Sequence, residues 1–145
     1  MAHRILIMGL PGSGKTTLAQ ALNDILAQSG HSVTWLNADE IRKKYTDWDF
    51  TREGRIRQAG RMWLLSEQSA SDYVIADFVA PLHEMRDQFQ ADFTIWVDTI
   101  AAGRFEDTNK IFEPPTKYDI KVTSQDAVRW SKLIAYHLAE HAVAR

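Results

Sequence analysis

The sequence contains no cysteine, and this absence excludes several kinds of site. Without a thiol, the chain cannot form a disulfide, attack a substrate with a thiolate or bind zinc through sulfur. The absence also fits a reducing compartment, so we expect a cytoplasmic protein. No apolar run approaches the roughly 20 residues that a membrane-spanning helix needs, and the apolar stretch before Gly9 is too short for a signal peptide.

The sequence also lacks an excess of positive charge. Lysine and arginine number 17, aspartate and glutamate number 19, and the formal net charge is −2. Proteins that bind duplex DNA normally carry a strong basic excess, so we expect no nucleic-acid partner. The chain has 145 residues, 45% of them apolar, and no internal repeat or linker, which predicts one domain over residues 1–145.

Short apolar runs alternate with segments of helical periodicity along the chain. The expected strands are 5–8, 33–36, 73–76, 93–97 and 118–122, and the expected helices are 16–28, 39–44, 51–69, 81–89 and 126–142, with a loop-rich stretch at 101–117. This alternation predicts an α/β fold in which a five-stranded parallel sheet is flanked by helices on both faces. Ligands of such sheets bind at the carboxyl ends of the strands, so the residues after each strand are the candidates.

The segment after the first expected strand reads Gly-Leu-Pro-Gly-Ser-Gly-Lys-Thr and matches the pattern G-x-x-x-x-G-K-[ST] in full. A strand before it and a helix after it are the context that the motif needs, so the pattern predicts a three-layer P-loop NTPase fold that binds ATP. The candidate contacts are Gly9, Leu10, Pro11, Gly12, Ser13, Gly14, Lys15, Thr16 and Thr17. The Lys15 ammonium would reach the β and γ phosphates, and the Thr16 hydroxyl would bind Mg²⁺.

Charged residues follow the second and third expected strands. Asp39 would face the γ-phosphate and orient an attacking hydroxyl, and Arg42 would lie on the same helical face, where it could bind a substrate phosphate. Asp77 ends the third strand, where acidic residues of P-loop proteins often hold Mg²⁺ through water. Each has an alternative: a helix N-cap for Asp39, a solvated charge for Arg42 and a strand-end cap for Asp77.

The expected helix 51–69 begins with a run of four arginines, Arg52, Arg55, Arg57 and Arg61. A run of charges usually forms a solvated helix face, so we expect these side chains, apart from Arg57, to be solvated.

Several segments, in the same order, resemble the adenylylsulfate kinase (APS kinase) family. The family's GLSGSGKST, LDGDNVR, GFS with NIRRVG, FISPYR, and FTGID with YEPP are similar to residues 9–17, 36–42, 49–51 with 55–60, 78–83, and 105–109 with 112–115. The resemblance covers most of the chain. The later segments carry its specificity, because many families share the phosphate-binding pattern.

The resemblance implies transfer of the γ-phosphate of ATP to the ribose 3′-hydroxyl of adenylylsulfate, with Mg²⁺ as cofactor. It implies that Lys15 and Asp39 are catalytic, with Asp39 at the acceptor hydroxyl, and that Arg42 and Arg57 hold the phosphosulfate. Phe50 and Phe105 would enclose the adenine between their rings, and Phe78 and Val79 would complete the substrate site. The partner is then a small nucleotide, and a homodimer is left open.

The sequence departs from the family pattern at several positions. Asn37-Ala38-Asp39 stands where the family has Asp-Gly-Asp, Asp77 replaces a serine, and His83 replaces an arginine, with Arg86 nearby. The basic lid that the family carries after the fourth strand is almost absent, and we hypothesise that Arg104 and Lys110 supply part of its charge. Two other functions therefore stay open: a kinase for another nucleoside or nucleotide hydroxyl, and an ATP-binding switch that acts through a partner.

One further motif lies near the C-terminus. Residues 137–141, His-Leu-Ala-Glu-His, match the pattern H-x-x-E-H, in which two histidines share a helix face. A zinc site would need a third ligand from elsewhere, so the sequence favours a solvated helix face over a metal site.

Overall fold

The structure, a computed structural model, describes residues 2–144 and contains alternating strands and helices. The strands are β1 His3–Met8, β2 Val33–Asn37, β3 Tyr73–Asp77, β4 Phe93–Val97 and β5 Ile120–Val122. The helices are α1 Lys15–Gln28, α2 Ala38–Tyr45, α3 Arg52–Glu67, α4 His83–Phe89, α5 Glu106–Ile111 and α6 Ala127–Ala144.

The strands form one parallel sheet in the order β2-β3-β1-β4-β5. Strand β1 is central, and its residues 5–8 are at most 1% exposed because helices cover both faces of the sheet. This double burial explains its uninterrupted apolar run. The chain leaves β1 toward β2 and β3 on one side and reaches β4 and β5 on the other, so the carboxyl end of β1 is the topological switch point where ligands bind.

Two apolar cores lie on opposite faces of the sheet. One contains Leu18, Leu22 and Ile134 of the packed helices α1 and α6, and the other contains Met62 and Phe89 of the packed helices α3 and α4. The three layers and the five parallel strands confirm the predicted α/β fold. Within residues 2–144, no helix is long and apolar enough to cross a membrane.

The main local difference from the sequence prediction is helix α5, which lies inside the stretch expected to be a loop. It has six residues and no side-chain N-cap, so its local helix signals are weak. Tertiary contacts hold it in place: Thr108 is buried, and the Asn109 side chain bonds to the backbone N–H and carbonyl of Gly103. Thr108 also accepts a hydrogen bond from Arg55, 53 residues away, and local propensity does not encode such a contact.

The C-terminal H-x-x-E-H motif is not a metal site in the part of the chain that the structure describes, where no group of three or more potential metal ligands occurs. His141 is also not on a solvated face, because its ring packs edge-on against the rings of His3 and Phe93, with centroids 5.1 and 5.6 Å away. His141 therefore contributes to packing, whereas His137 and Glu140 are exposed, as expected for a solvated helix face.

Candidate active site

The phosphate loop, residues 9–17, follows the central strand directly. Gly9 lies so close to the Val97 carbonyl that a β-carbon would clash with it. Gly14, the N-cap of α1, has a φ of 104°, a conformation that glycine adopts without strain. The loop thus brings the N-terminus of a 14-residue helix to the switch point, where backbone N–H groups attract anions.

Lys15 lies at the start of that helix and is buried. Its Nζ donates to the Leu10 carbonyl at 3.0 Å, a contact that a phosphate could replace. Burial lowers the Lys15 pKa to about 8, opposed by the charges of Asp77 and Asp39, and the Arg104 charge lowers it further. The nearby Ser13 Oγ is buried and has no hydrogen-bond partner, so the loop has polar groups to offer a phosphate.

Asp77 lies opposite Thr16 at the carboxyl end of β3. Its Oδ1 is 3.5 Å from Thr16 Oγ1, and its carboxylate accepts from Trp35 Nε1 at 2.5 Å and from Asn37 Nδ2 at 3.0 Å. Burial raises the Asp77 pKa to about 6, although the bonds from Trp35 and Asn37 oppose that rise. A hydroxyl and a carboxylate oxygen are ligands that Mg²⁺ prefers, so this pair fits the cation.

Asp39 lies in the first turn of α2 and is exposed. It is not the N-cap: Asn37 has that position, and its side-chain oxygen accepts from the Glu40 N–H at 3.0 Å. The Asp39 carboxylate is therefore not used for capping. The substitution of Asn37 for an acidic family residue gives one side chain that both caps α2 and donates to Asp77.

Arg42 is buried in α2, so the alternative of a solvated charge is wrong. Its Nη1 donates to the carbonyls of Asp47 and Asp49 at 3.0 and 3.1 Å, and its guanidinium lies 4.3 Å from the centre of the Phe50 ring. The buried Arg42 side chain thus bonds to the backbone of the α2–α3 loop, residues 46–51, and its guanidinium packs against the Phe50 ring. The Phe50 ring itself is half exposed.

Arg57 is joined to the same loop by two carboxylates. Its Nε lies 2.8 Å from Asp47 Oδ2, and its Nη2 lies 3.1 Å from Asp49 Oδ2. Arg61 also pairs with Asp47 at 3.0 Å, so it is not the solvated charge that the sequence suggested. The hydrogen bonds from Arg57 and Arg61 hold the pKa of Asp47 well below its usual range. Arg42 and Arg57 thus contact the same loop, and their role in holding the phosphosulfate stays a prediction.

Arg55 also contacts the α2–α3 loop, although the sequence predicts a solvated side chain at this position. Its Nε donates to the Phe50 carbonyl at 2.9 Å, its Nη2 donates to Thr108 Oγ1 at 3.0 Å, and its guanidinium lies 5.4 Å from the Phe50 ring centre. It therefore connects the α2–α3 loop to α5, the helix that begins after Phe105. No local signal marks Arg55, since its partner lies 53 residues away.

The family model described as adenylylsulphate kinase matches residues 1–102, which is most of the chain. The chain belongs to the adenylylsulphate kinase family. The matched segment includes the phosphate loop, Asp39, Arg42, the α2–α3 loop and Asp77, and it ends just before Phe105.

Individual relatives match only part of this chain and part of their own length. A probable adenylyl-sulfate kinase of Aeropyrum pernix is 38% identical over 85 residues, which are 57% of this chain and 46% of the relative. A cytidine diphosphoramidate kinase of Campylobacter jejuni is 40% identical over 55 residues, 38% of this chain and 32% of that protein. The chain spans about half the length of the curated relatives it matches.

A solved structure of a Mycobacterium tuberculosis APS kinase in complex with AMPPNP and APS superimposes with a TM-score of 0.83. The match covers 95% of this chain and 98% of that chain, at 18% sequence identity. At this identity, the similarity establishes the shared P-loop kinase fold of the adenylylsulphate kinase family and not the residues of the site.

The segment after β4 contacts the phosphate loop, and its shortness relative to the adenylylsulphate kinase family stays a prediction. Gly103 packs so tightly on the Pro11 carbonyl that a β-carbon would come within 2.8 Å of it, and Asn109 fixes the same glycine. The short segment therefore lies directly on the phosphate loop. It carries Arg104, whose guanidinium lies 5.1 Å from the Phe105 ring centre.

The remaining substrate-site candidates differ in exposure. Phe105 is half exposed, and among the described residues it makes no ring contact with Phe50. The Phe78 side chain is in the core, edge-on to Phe89 at 5.7 Å, so a substrate would meet its backbone and not its ring. Val79 follows it in a half-buried loop position, and its role stays a prediction.

Proposed function

We propose that this protein transfers the γ-phosphate of ATP to the 3′-hydroxyl of adenylylsulfate. The observation that carries the proposal is a hydrogen bond between the acceptor and donor sides: Asn37, the N-cap of α2, donates from Nδ2 to Thr16 Oγ1 at 3.4 Å. This bond holds the first turn of α2, which carries Asp39, beside the phosphate loop that carries Lys15. Family membership over residues 1–102 supports adenylylsulfate as the acceptor.

The donor half of the mechanism is positioning and charge stabilisation. The backbone N–H groups of the phosphate loop and the start of α1 would hold the phosphates, and the Lys15 ammonium would move from the Leu10 carbonyl to the β and γ phosphates. Thr16 and Asp77 would hold Mg²⁺, which offsets the negative charge of the phosphates when bound. Arg104, on the segment above the loop, would add positive charge to the transferring group.

The acceptor half requires a hydroxyl that is held in line with the γ-phosphorus. Asp39 would orient it and take its proton while the oxygen–phosphorus bond forms and the bond to the β–γ bridging oxygen breaks, which releases ADP. Phe50, supported by Arg42 and Arg55, offers one face for the adenine, and Phe105 across the cleft offers the other. Arg57 would exchange part of its pairing with Asp47 and Asp49 for the phosphosulfate.

The test is transfer of labelled γ-phosphate from ATP to a panel that contains adenylylsulfate, other nucleotides and nucleosides. We expect adenylylsulfate to be the preferred acceptor and Asp39→Ala to remove transfer while ATP binding is kept. If the protein binds ATP but neither binds nor phosphorylates adenylylsulfate, the proposal fails.

The second candidate is the same chemistry on another nucleotide hydroxyl. Two observations favour keeping it: the short segment after β4, and a relative of the matched region named for a cytidine nucleotide acceptor. Preference for a cytidine nucleotide in the panel would select this candidate. An ATP-dependent switch without an acceptor is disfavoured by Phe50 and the arginines around it, which such a switch does not need.

A further inference from the structure

Two side chains from outside the phosphate loop donate hydrogen bonds to its backbone carbonyls. Thr99 Oγ1 donates to the Ser13 carbonyl at 2.6 Å, and Gln125 Nε2 donates to the same oxygen at 3.2 Å and to the Gly12 carbonyl at 3.3 Å. Thr99 follows β4, and Gln125 lies between β5 and α6. Two segments far apart in sequence thus converge on one carbonyl.

The direction of that carbonyl determines where the next N–H points. A trans peptide is planar, so the Ser13 carbonyl and the Gly14 N–H lie on opposite sides of one rigid unit. The preceding peptide is already held within the loop, because the Ser13 N–H donates to the Leu10 carbonyl at 3.1 Å. The Ser13–Gly14 unit is therefore the one that external donors can fix.

Gly14 makes this unit intrinsically mobile. It has no side chain to anchor it, and its φ of 104° is only one of many conformations open to glycine. The Gln125 side chain covers it: Cγ lies 3.7 Å from where a Gly14 β-carbon would be. Two hydrogen-bond donors and one packing contact thus restrain the backbone at Gly14, which has no side chain to restrain it.

We propose that Thr99 and Gln125 are positioning residues that hold the Ser13 carbonyl outward and aim the Gly14 N–H at the donor phosphates. The inference rests on the proposed function only in that the phosphate loop binds a nucleoside triphosphate. A loop fixed in this way loses less entropy when the phosphates bind, so the two residues increase phosphate affinity without touching the ligand.

The test measures dissociation constants for ATP, inorganic pyrophosphate and adenosine by calorimetry, without any acceptor. Thr99→Val removes the hydroxyl donor at constant shape, Thr99→Ser restores it, and Gln125→Glu replaces an amide donor with a carboxylate. Gln20→Glu is the matched control, because Gln20 is exposed on α1 and bonds only to Asp24 on the same helix. We expect Thr99→Val and Gln125→Glu each to weaken ATP and pyrophosphate about three- to tenfold.

Thr99→Ser and Gln20→Glu should stay within about twofold of the parent protein, and adenosine affinity should not change in any variant. A purely structural role would lower the thermal midpoint without this split between pyrophosphate and adenosine. If Thr99→Val does not fold, Gln125→Glu decides, because Gln125 is exposed. Unchanged pyrophosphate affinity, or an equal loss for adenosine, would overturn the proposal.

These outcomes are separable from failure of the proposed function. If the parent protein binds ATP but does not phosphorylate adenylylsulfate, only the choice of acceptor is wrong, and the positioning proposal is judged on pyrophosphate. If the parent protein binds neither ATP nor pyrophosphate, both proposals are wrong.

Discussion

The phosphate loop and the α2–α3 loop obtain their shapes in different ways. The phosphate loop is shaped by backbone requirements: glycines where a β-carbon would clash or where φ is positive, and a helix N-terminus. The α2–α3 loop is shaped by side chains, chiefly Arg42, Arg57 and Arg61 acting on Asp47 and Asp49. One is a local motif and the other is a tertiary network.

This difference has a physical consequence for substrate choice. The phosphate loop recognises phosphates through backbone groups that every chain has, so its chemistry is shared across P-loop proteins. The α2–α3 loop is held by particular charged pairs, and each pair can be altered by one substitution. We therefore expect ATP binding to depend strongly on a few residues. Acceptor binding should instead change by a smaller amount with each substitution in the α2–α3 loop.

Lys15→Met should give the largest effect. We expect kcat/KM for phosphate transfer to fall about 10³-fold, because the variant removes the buried charge that would stabilise the transferring phosphate. Steady-state kinetics with labelled ATP would measure it. Lys132→Met, on the exposed side of α6, is the control and should keep full activity. If Lys15→Met kept substantial phosphate transfer, Lys15 would not be the residue that stabilises the transferring phosphate.

Arg42→Met should have the second-largest effect, and it should weaken binding of the acceptor rather than of ATP. We expect KM for the acceptor to rise roughly 50-fold, because two backbone bonds and the support beneath Phe50 are lost together. Arg42→Lys should recover only a small part, since an ammonium cannot reproduce the planar fork. Lys43→Met, exposed on the same helix, is the control.

An equal rise in the KM for ATP in Arg42→Met would erase the contrast between the two loops, because it would show that the arginine shapes both. Calorimetric binding of ATP alone separates this outcome from a general loss of folded protein.

The sequence was sufficient for the parts of the molecule that repeat a local rule. The apolar run of β1 and the glycine pattern after it predict a buried strand and an anion site, and the structure has the strand, the loop and the five-stranded parallel sheet. The strand and the loop depend on residues close together in the chain, and the alternation of strands and helices predicts the sheet.

The sequence was insufficient where charge pairs decide the structure. Arg55 and Arg61 look like members of a solvated charge run, yet Arg55 reaches Thr108, and Arg61 reaches Asp47, a residue that no motif singled out. Helix α5 was missed for the same reason, since a contact from the distant Arg55 to Thr108 holds it. The role of each arginine in such a run can be assigned only when its contacts in the fold are known.

Arg55→Met tests the link between the α2–α3 loop and α5. We expect KM for the acceptor to rise about tenfold with little change in kcat, because the hydrogen bonds to the Phe50 carbonyl and to Thr108 are lost. Arg52→Met is the matched control, since Arg52 is exposed on the same helix and pairs with Glu84. Thr108→Val in the Arg55→Met background should add less than it does alone.

Additive effects of Arg55→Met and Thr108→Val would show that the two residues act separately and that α5 is not tied to Phe50. The double-mutant cycle therefore decides whether the acceptor side is one network or several local contacts.

Asp47→Asn should have the smallest effect, and that effect should depend on pH. The bonds from Arg57 and Arg61 hold the Asp47 pKa well below its usual range, so the folded state favours the carboxylate. A lowered folded-state pKa stabilises the fold above the unfolded-state pKa of about 4, and this contribution is lost as pH falls toward the folded-state value. The parent protein should therefore exceed Asp47→Asn in thermal midpoint by a few degrees at pH 7.

That difference should shrink steadily as the pH is lowered below about 4, because the unfolded chain then binds a proton at Asp47 while the folded carboxylate does not. Asp24→Asn is the control: Asp24 is bonded to Gln20 and to no arginine among its recorded contacts, so its midpoint difference should stay near zero at every pH. A midpoint difference for Asp47→Asn that does not change with pH would mean that the loop is held by shape and not by its ion pairs, and the two loops would then differ less than their contacts suggest.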